Sequence, residues 1–173
     1  MNTRQRKKLT KRLMEAVLRE DAAMTGALLR LGADPDAADR EGTTPLYQAS
    51  VHGAVHLVRL LLEAGAAPDT ESGHGREGTP LCAAAAWGHT DVVRELLAHD
   101  ADPNLREDGG SGYSPLDWAR RGDHSPTVDL LLAAGAHSPA AAMSLGVTSS
   151  GGAVRTTSSA PGTTPGAPGR KHR

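Results

Sequence analysis

The chain has 173 residues, a formal net charge of −1, two tryptophans, two tyrosines, one cysteine and no phenylalanine. So few aromatic residues leave leucine, valine and alanine to build the core, which suits closely packed helices better than sandwiched sheets. The lone Cys82 excludes an internal disulfide, and no stretch approaches the roughly 18 consecutive apolar residues of a membrane helix, so an all-α, cytoplasmic protein with no membrane partner is expected.

The first segment, "MNTRQRKKLTKR", carries six basic side chains and no acid. The following "LMEAVLRED" is charged and amphipathic rather than the apolar block of an export signal. Residues 1–7 read as a basic extension. All 20 acids lie between 13 and 137, where nine arginines leave a net of −11, while the two ends together carry ten cations and no acid.

From residue 8 the chain repeats itself. "TPLYQASVHGAVHLVRLLLEAGAAPD" (44–69), "TPLCAAAAWGHTDVVRELLAHDADPN" (79–104) and "SPLDWARRGDHSPTVDLLLAAGA" (114–136) superpose without a gap at an offset of 35. "LLRLGADPDAADREG" (28–42) is a weaker copy set 33 residues earlier. Four units follow, at about 8–42, 43–77, 78–112 and 113–137.

Each unit parses into the same parts. Thr44, Thr79 and Ser114 stand before Pro45, Pro80 and Pro115, a hydroxyl cap followed by proline at the first helical position, where its missing N–H costs nothing. A short helix is predicted there, and Ala49, Ala84, Ala85 and Ala119 let its neighbours approach closely. A second helix is predicted from apolar residues at helical spacing: Val55, Val58, Leu61 and Leu62; Val92, Val93, Leu96 and Leu97; Val128, Leu131 and Leu132. It should stop at Gly65, Asp100 and Gly135 in a left-handed residue. Polar connections such as "DPDAADREG" and "DTESGHGREG" lead to the next cap. The segment from 138 to 173 is small, polar and proline-rich, and reads as a disordered tail.

These units resemble ankyrin repeats over some three-quarters of the chain, with the pattern T-P-L-H-x-A-A-x-x-G-H-x-x-V-V-x-x-L-L-x-x-G-A-D fullest in the third copy. The resemblance implies an ankyrin-repeat solenoid of four stacked helix pairs, with hairpin-like fingers that form a concave face together with the first helices. Tyr47, Cys82 and Asp117 replace the family's T-P-L-H histidine, so Asp117 is the residue expected to keep a hydrogen bond to the turn. Lys11 and Arg12 replace Thr-Pro in the first copy, which reads as a polar N-terminal cap. Arg120 and Asp123 replace a small residue and a glycine in the last, which reads as the C-terminal cap.

The family's partner-facing positions, carried over, are Gln48, Val51 and His52, then Ala83, Ala86 and Trp87, then Trp118 and Arg121. The fingers add Asp36, Asp39, Arg40, Glu41, Glu71, His74, Arg76, Glu77, Arg106, Glu107 and Asp108. Tryptophan and arginine are the residues most enriched in binding hot spots, and both tryptophans fall in this set. An acidic rim around an aromatic centre favours a partner protein with a basic, partly apolar surface.

Nothing in the sequence sets out catalytic chemistry, a cofactor or a metal. His52 and His56 are four apart, but Gly53 separates them onto two helices, and no cysteine or carboxylate cluster completes a ligand set. "GHGREG" is a finger tip and follows no strand, unlike a phosphate-binding loop. The expected function is a monomeric, non-enzymatic protein-interaction module. The alternative is a nucleic-acid-associated regulator gripping phosphates with "RQRKKLTKR" and "RKHR", against which stand the acidic middle and the lack of interleaved aromatics.

Overall fold

The computed structural model describes residues 3–137, all-helical in architecture. The helices are α1 (Thr3–Leu18), α2 (Ala22–Arg30), α3 (Pro45–Val51), α4 (Val55–Glu63), α5 (Pro80–Ala86), α6 (Thr90–Ala98), α7 (Pro115–Arg121) and α8 (Ser125–Ala133). Consecutive helices pair within each repeat. The odd-numbered helices then pack in one layer, α1 on α3 on α5 on α7, and the even-numbered ones in a second, α2 on α4 on α6 on α8. The expected tail, 138–173, lies outside the described residues.

Local chemistry sets each helix start. The hydroxyls of Thr44, Thr79 and Ser114 accept from the backbone N–H groups of Tyr47, Cys82 and Asp117 at 3.2, 3.1 and 3.2 Å. Asp117 returns the bond, its carboxylate accepting from the Ser114 N–H at 3.1 Å, which closes a reciprocal cap. The second helices end at Gly65, Asp100 and Gly135 with φ of 91°, 64° and 88°. Asp123 keeps the left-handed φ, 56°, that Gly53 and Gly88 hold in the two preceding copies.

The core is a single leucine, valine and alanine cluster in which Leu13, Val17, Ala49, Leu61, Ala84, Leu96, Ala119 and Leu131 are almost wholly buried. Leu132, by contrast, is 45% exposed, although the spacing places it with Leu62 and Leu97 on the apolar stripe. Among the described residues no further helix pair stacks beyond α8 to cover it. Arg120 is exposed for the same reason, where its counterparts Ser50 and Ala85 are buried.

Polar ladders tie each repeat to the next. The carboxylates of Asp36 and Asp69 and the amide oxygen of Asn104 accept from the backbone N–H groups of Ala67, Asp102 and His137, one repeat further on, at 2.9, 3.0 and 2.9 Å. His89 Nε2 bonds the Val51 carbonyl and His124 Nε2 the Ala86 carbonyl, both at 3.0 Å. These rings sit over Gly53 and Gly88, where a β-carbon would come within 2.7 and 2.5 Å of them. Here the glycine is needed for space as well as for its positive φ.

One boundary differs from the sequence reading. Residues 3–7, expected as a separate extension, continue α1, which runs 16 residues against seven for α3, α5 and α7. Its leading turns are rich in arginine, lysine and glutamine, good helix formers, and contain no proline or glycine to start the helix later.

Candidate protein-binding groove

The fingers stack beside the first helices. Finger two closes on an antiparallel bridge between Ser72 and Gly78, and Ser72 Oγ lies 2.8 Å from Thr44 Oγ1. The Gly73 N–H donates to the Gly42 carbonyl of finger one at 3.0 Å. Thr43 Oγ1 donates to both carboxylate oxygens of Glu77, at 3.0 and 2.8 Å. Finger three turns through a short 3-10 segment, Asp108–Gly110.

Between α5, α7 and fingers two and three lies a groove of about 500 Å³, lined by Ala83, Ala86, Trp87, Trp118, Arg121 and the carboxylates Glu77 and Glu107, with Tyr47, Cys82 and Gly122 completing it. Trp87 is 65% exposed, which leaves the largest apolar ring a side chain can offer in solvent. Trp118 is half-buried. Its Nε1 donates to Glu107 Oε2 at 2.7 Å, and its ring meets Tyr113 edge-to-face, with centroids 5.1 Å apart at 64°. The Arg121 guanidinium lies 4.9 Å from the centre of the Tyr113 ring. Trp118, Tyr113 and Arg121 therefore hold one another in place, while Trp87, in the same groove, is largely exposed.

Electrostatically the groove is acidic. Burial, with Asp108 and Glu71 nearby, raises the Glu107 pKa against the opposing pull of its Trp118 bond. Burial, with Glu77 and Glu107 close by, pushes the Tyr47 phenol up to about 12. The Cys82 thiol, facing the carbonyls of Leu105 and Tyr113 at 4.0 and 3.8 Å, is pushed up to about 12, chiefly by burial, which leaves it a poor nucleophile.

The other sequence-picked residues scatter. Gln48 and Val51 are half-buried on α3 and His52 is exposed at its end, none of them lining the groove. His74 and Arg76 are exposed at the tip of finger two, and Asp108 is exposed in finger three. Arg106 is committed to Asp117 at 3.3 Å. Asp36 serves the inter-repeat ladder, and Asp39 caps its own finger by accepting from the Glu41 and Thr43 N–H groups at 3.0 and 2.9 Å. With Arg40 and Glu41, Asp39 also lines a separate cleft of about 930 Å³ against Lys7, Lys8 and Lys11 of α1. Glu71 carboxylate accepts from the Gly109 N–H at 3.4 Å, joining fingers two and three. Sequence reasoning missed Tyr113 and Tyr47. The only signal for Tyr113 was its place directly before the Ser114-Pro115 cap.

Among the described residues no group of three or more histidines, cysteines or carboxylates converges to hold a metal ion, and no helix is long and apolar enough to cross a membrane.

A solenoid of capped helix pairs tied by periodic hydrogen bonds defines a repeat protein, and comparison with known families names the repeat. The profile described as ankyrin repeats (3 copies) matches residues 13–107 and 69–141. The chain belongs to the ankyrin repeat family. It is similar to Potassium channel AKT3 of Oryza sativa subsp. japonica, 44% identical over 61 residues, which are 35% of this chain and 7% of that protein. It is also similar to Ankyrin repeat and SOCS box protein 16 of Mus musculus, 44% identical over 57 residues, 33% of this chain and 13% of that protein. The shared stretch is thus a small part of either relative. Ankyrin repeats are in general protein–protein interaction modules and typically non-enzymatic.

Proposed function

We propose that this protein is a non-enzymatic, monomeric, cytoplasmic binding module, an adaptor, inhibitor or complex subunit, that seats a partner protein on the concave face at Trp87, Trp118 and Arg121. One observation carries the reading: Trp87 is 65% exposed in a groove that it shares with Trp118 and Arg121, both of which are braced by Tyr113. Exposed tryptophan beside fixed aromatic and arginine side chains is the composition of binding hot spots. The Glu77 and Glu107 carboxylates favour a partner with basic and apolar groups side by side.

The test is capture from a lysate of the source cells, using wild type beside the full chain carrying Trp87→Ala and Arg121→Ala, both at exposed positions. A protein retained by wild type and lost by the folded variant supports the groove. Equal capture by both removes it. The nucleic-acid alternative draws on exposed Lys7, Lys8 and Lys11 of α1, but Asp39 and Glu41 line the same cleft. Steep weakening of nonspecific DNA binding by salt would favour that alternative.

A further inference from the structure

We propose that the chain's own C-terminal segment, residues 138–173, docks in cis in the Trp87–Trp118 groove, its Pro161–Arg173 stretch set against the indoles and the Glu77 and Glu107 carboxylates, so that a partner must displace it. The inference rests on the reading of this groove as the partner site and names its regulation.

Chemistry comes first. The segment holds Arg155, Arg170, Lys171 and Arg173 and no acid, with Pro161, Pro165 and Pro168 leading into the basic cluster. Proline-rich stretches dock in aromatic-lined grooves, where stiff backbone loses little entropy on binding, and adjacent cations add charge contacts. Trp87, Trp118 and Tyr47 supply such a lining here, and Glu77 and Glu107 the counter-charge. Thr43 and Trp118 donate to these carboxylates, but the ion pairs found among the described residues involve neither of them. The cleft at finger one mixes Lys7, Lys8, Lys11 and Arg40 with Glu15, Asp39 and Glu41 and has no tryptophan, so it offers the same segment neither net counter-charge nor an aromatic lining.

Placement agrees. His137 N–H sits on Asn104 just as Asp102 N–H sits on Asp69 one repeat earlier. The chain therefore leaves the last repeat from the position at which residue 102 leads into finger three. Glu107 lies five residues past Asp102 on finger three, the finger that also carries Asn104, the partner of His137. A Gly- and Ser-rich linker with the 24 residues that separate His137 from Pro161 has a root-mean-square span of roughly 27 Å. Tethering at that length gives an effective concentration on the order of millimolar, enough for a weak contact to fill the groove most of the time.

The test uses full-length protein and a synthetic peptide of residues 156–173, which contains no tryptophan, so that indole emission from Trp87 and Trp118 reports occupancy. In the full-length variant Arg155→Gln, Arg170→Gln, Lys171→Gln, Arg173→Gln the groove is vacated. This variant should bind the peptide about tenfold more tightly than wild type at low salt, the ratio for a millimolar tether competing with a contact of about 100 μM. Adding Glu77→Gln and Glu107→Gln to it should remove the binding, and wild-type emission should not change with protein concentration. Equal affinity for both proteins, no binding to either, or concentration-dependent emission each overturns docking in cis. A partner lost through Trp87→Ala while the peptide fails to bind would leave the groove's function standing and remove only its occupation by the tail.

Discussion

The two tryptophans should behave in opposite ways when truncated. Trp118→Ala deletes a hydrogen bond to an ionisable acceptor at 2.7 Å, a net loss of about 1.5–3 kcal/mol, and an edge-to-face pair with Tyr113 that contributes about 0.5–1.5 kcal/mol beyond burial. A destabilisation of about 3 kcal/mol is expected. Trp87, 65% exposed, should cost within about 0.5 kcal/mol on truncation. Urea unfolding followed by far-UV circular dichroism measures both without relying on indole emission, with the midpoint shift at constant m giving the difference. If Trp87→Ala lost more than about 1.5 kcal/mol, its side chain would be a structural element and the groove would lose its main anchor. A neutral Trp118→Ala would show that the Glu107 and Tyr113 contacts fix nothing.

Thr25 Oγ1 is buried without a hydrogen-bond partner, at a position where the next two copies carry Val58 and Val93. Thr25→Val should raise stability by about 1 kcal/mol in the same urea assay, because an unmet buried hydroxyl costs free energy that a methyl does not. His124→Ala removes the bond to the Ala86 carbonyl and should cost about 1–2 kcal/mol, with faster amide exchange in α7 and α8. Gly88→Ala should cost at least as much, since its β-carbon would lie 2.5 Å from His124 Nδ1 at a φ of +69°. Cys82, buried and with its thiol pushed up to about 12 chiefly by that burial, should react with iodoacetamide at pH 8 at least about tenfold more slowly folded than unfolded, as read by mass spectrometry.

The scaffold was legible because its determinants are local and periodic. Thr-Pro caps, left-handed Gly65, Asp100 and Gly135, and paired leucines each depend on a few neighbouring residues, and recur often enough to fix one another's register. The family register likewise picked Ala83, Ala86, Trp87, Trp118 and Arg121, which one groove brings together. What stayed hidden sits in the fingers, whose lengths differ between copies. The Glu107–Trp118 bond spans finger and helix, and Tyr113 packs on a ring five residues later, so neither follows from a repeat pattern. Asp36 and Asp39 read as rim charges from their type alone, yet their carboxylates are spent on backbone N–H groups. Leu132 looked like core because its spacing is that of Leu97, but among the described residues no further helix pair covers it.

The groove's role is tested most directly by the affinity of the captured partner for wild type and for Trp87→Ala at equal thermal stability. Loss of a hot-spot tryptophan predicts a dissociation constant raised about 30-fold or more, or 2 kcal/mol, with the melting temperature unchanged. An affinity within about twofold of wild type would contradict the account and move the binding surface away from the groove.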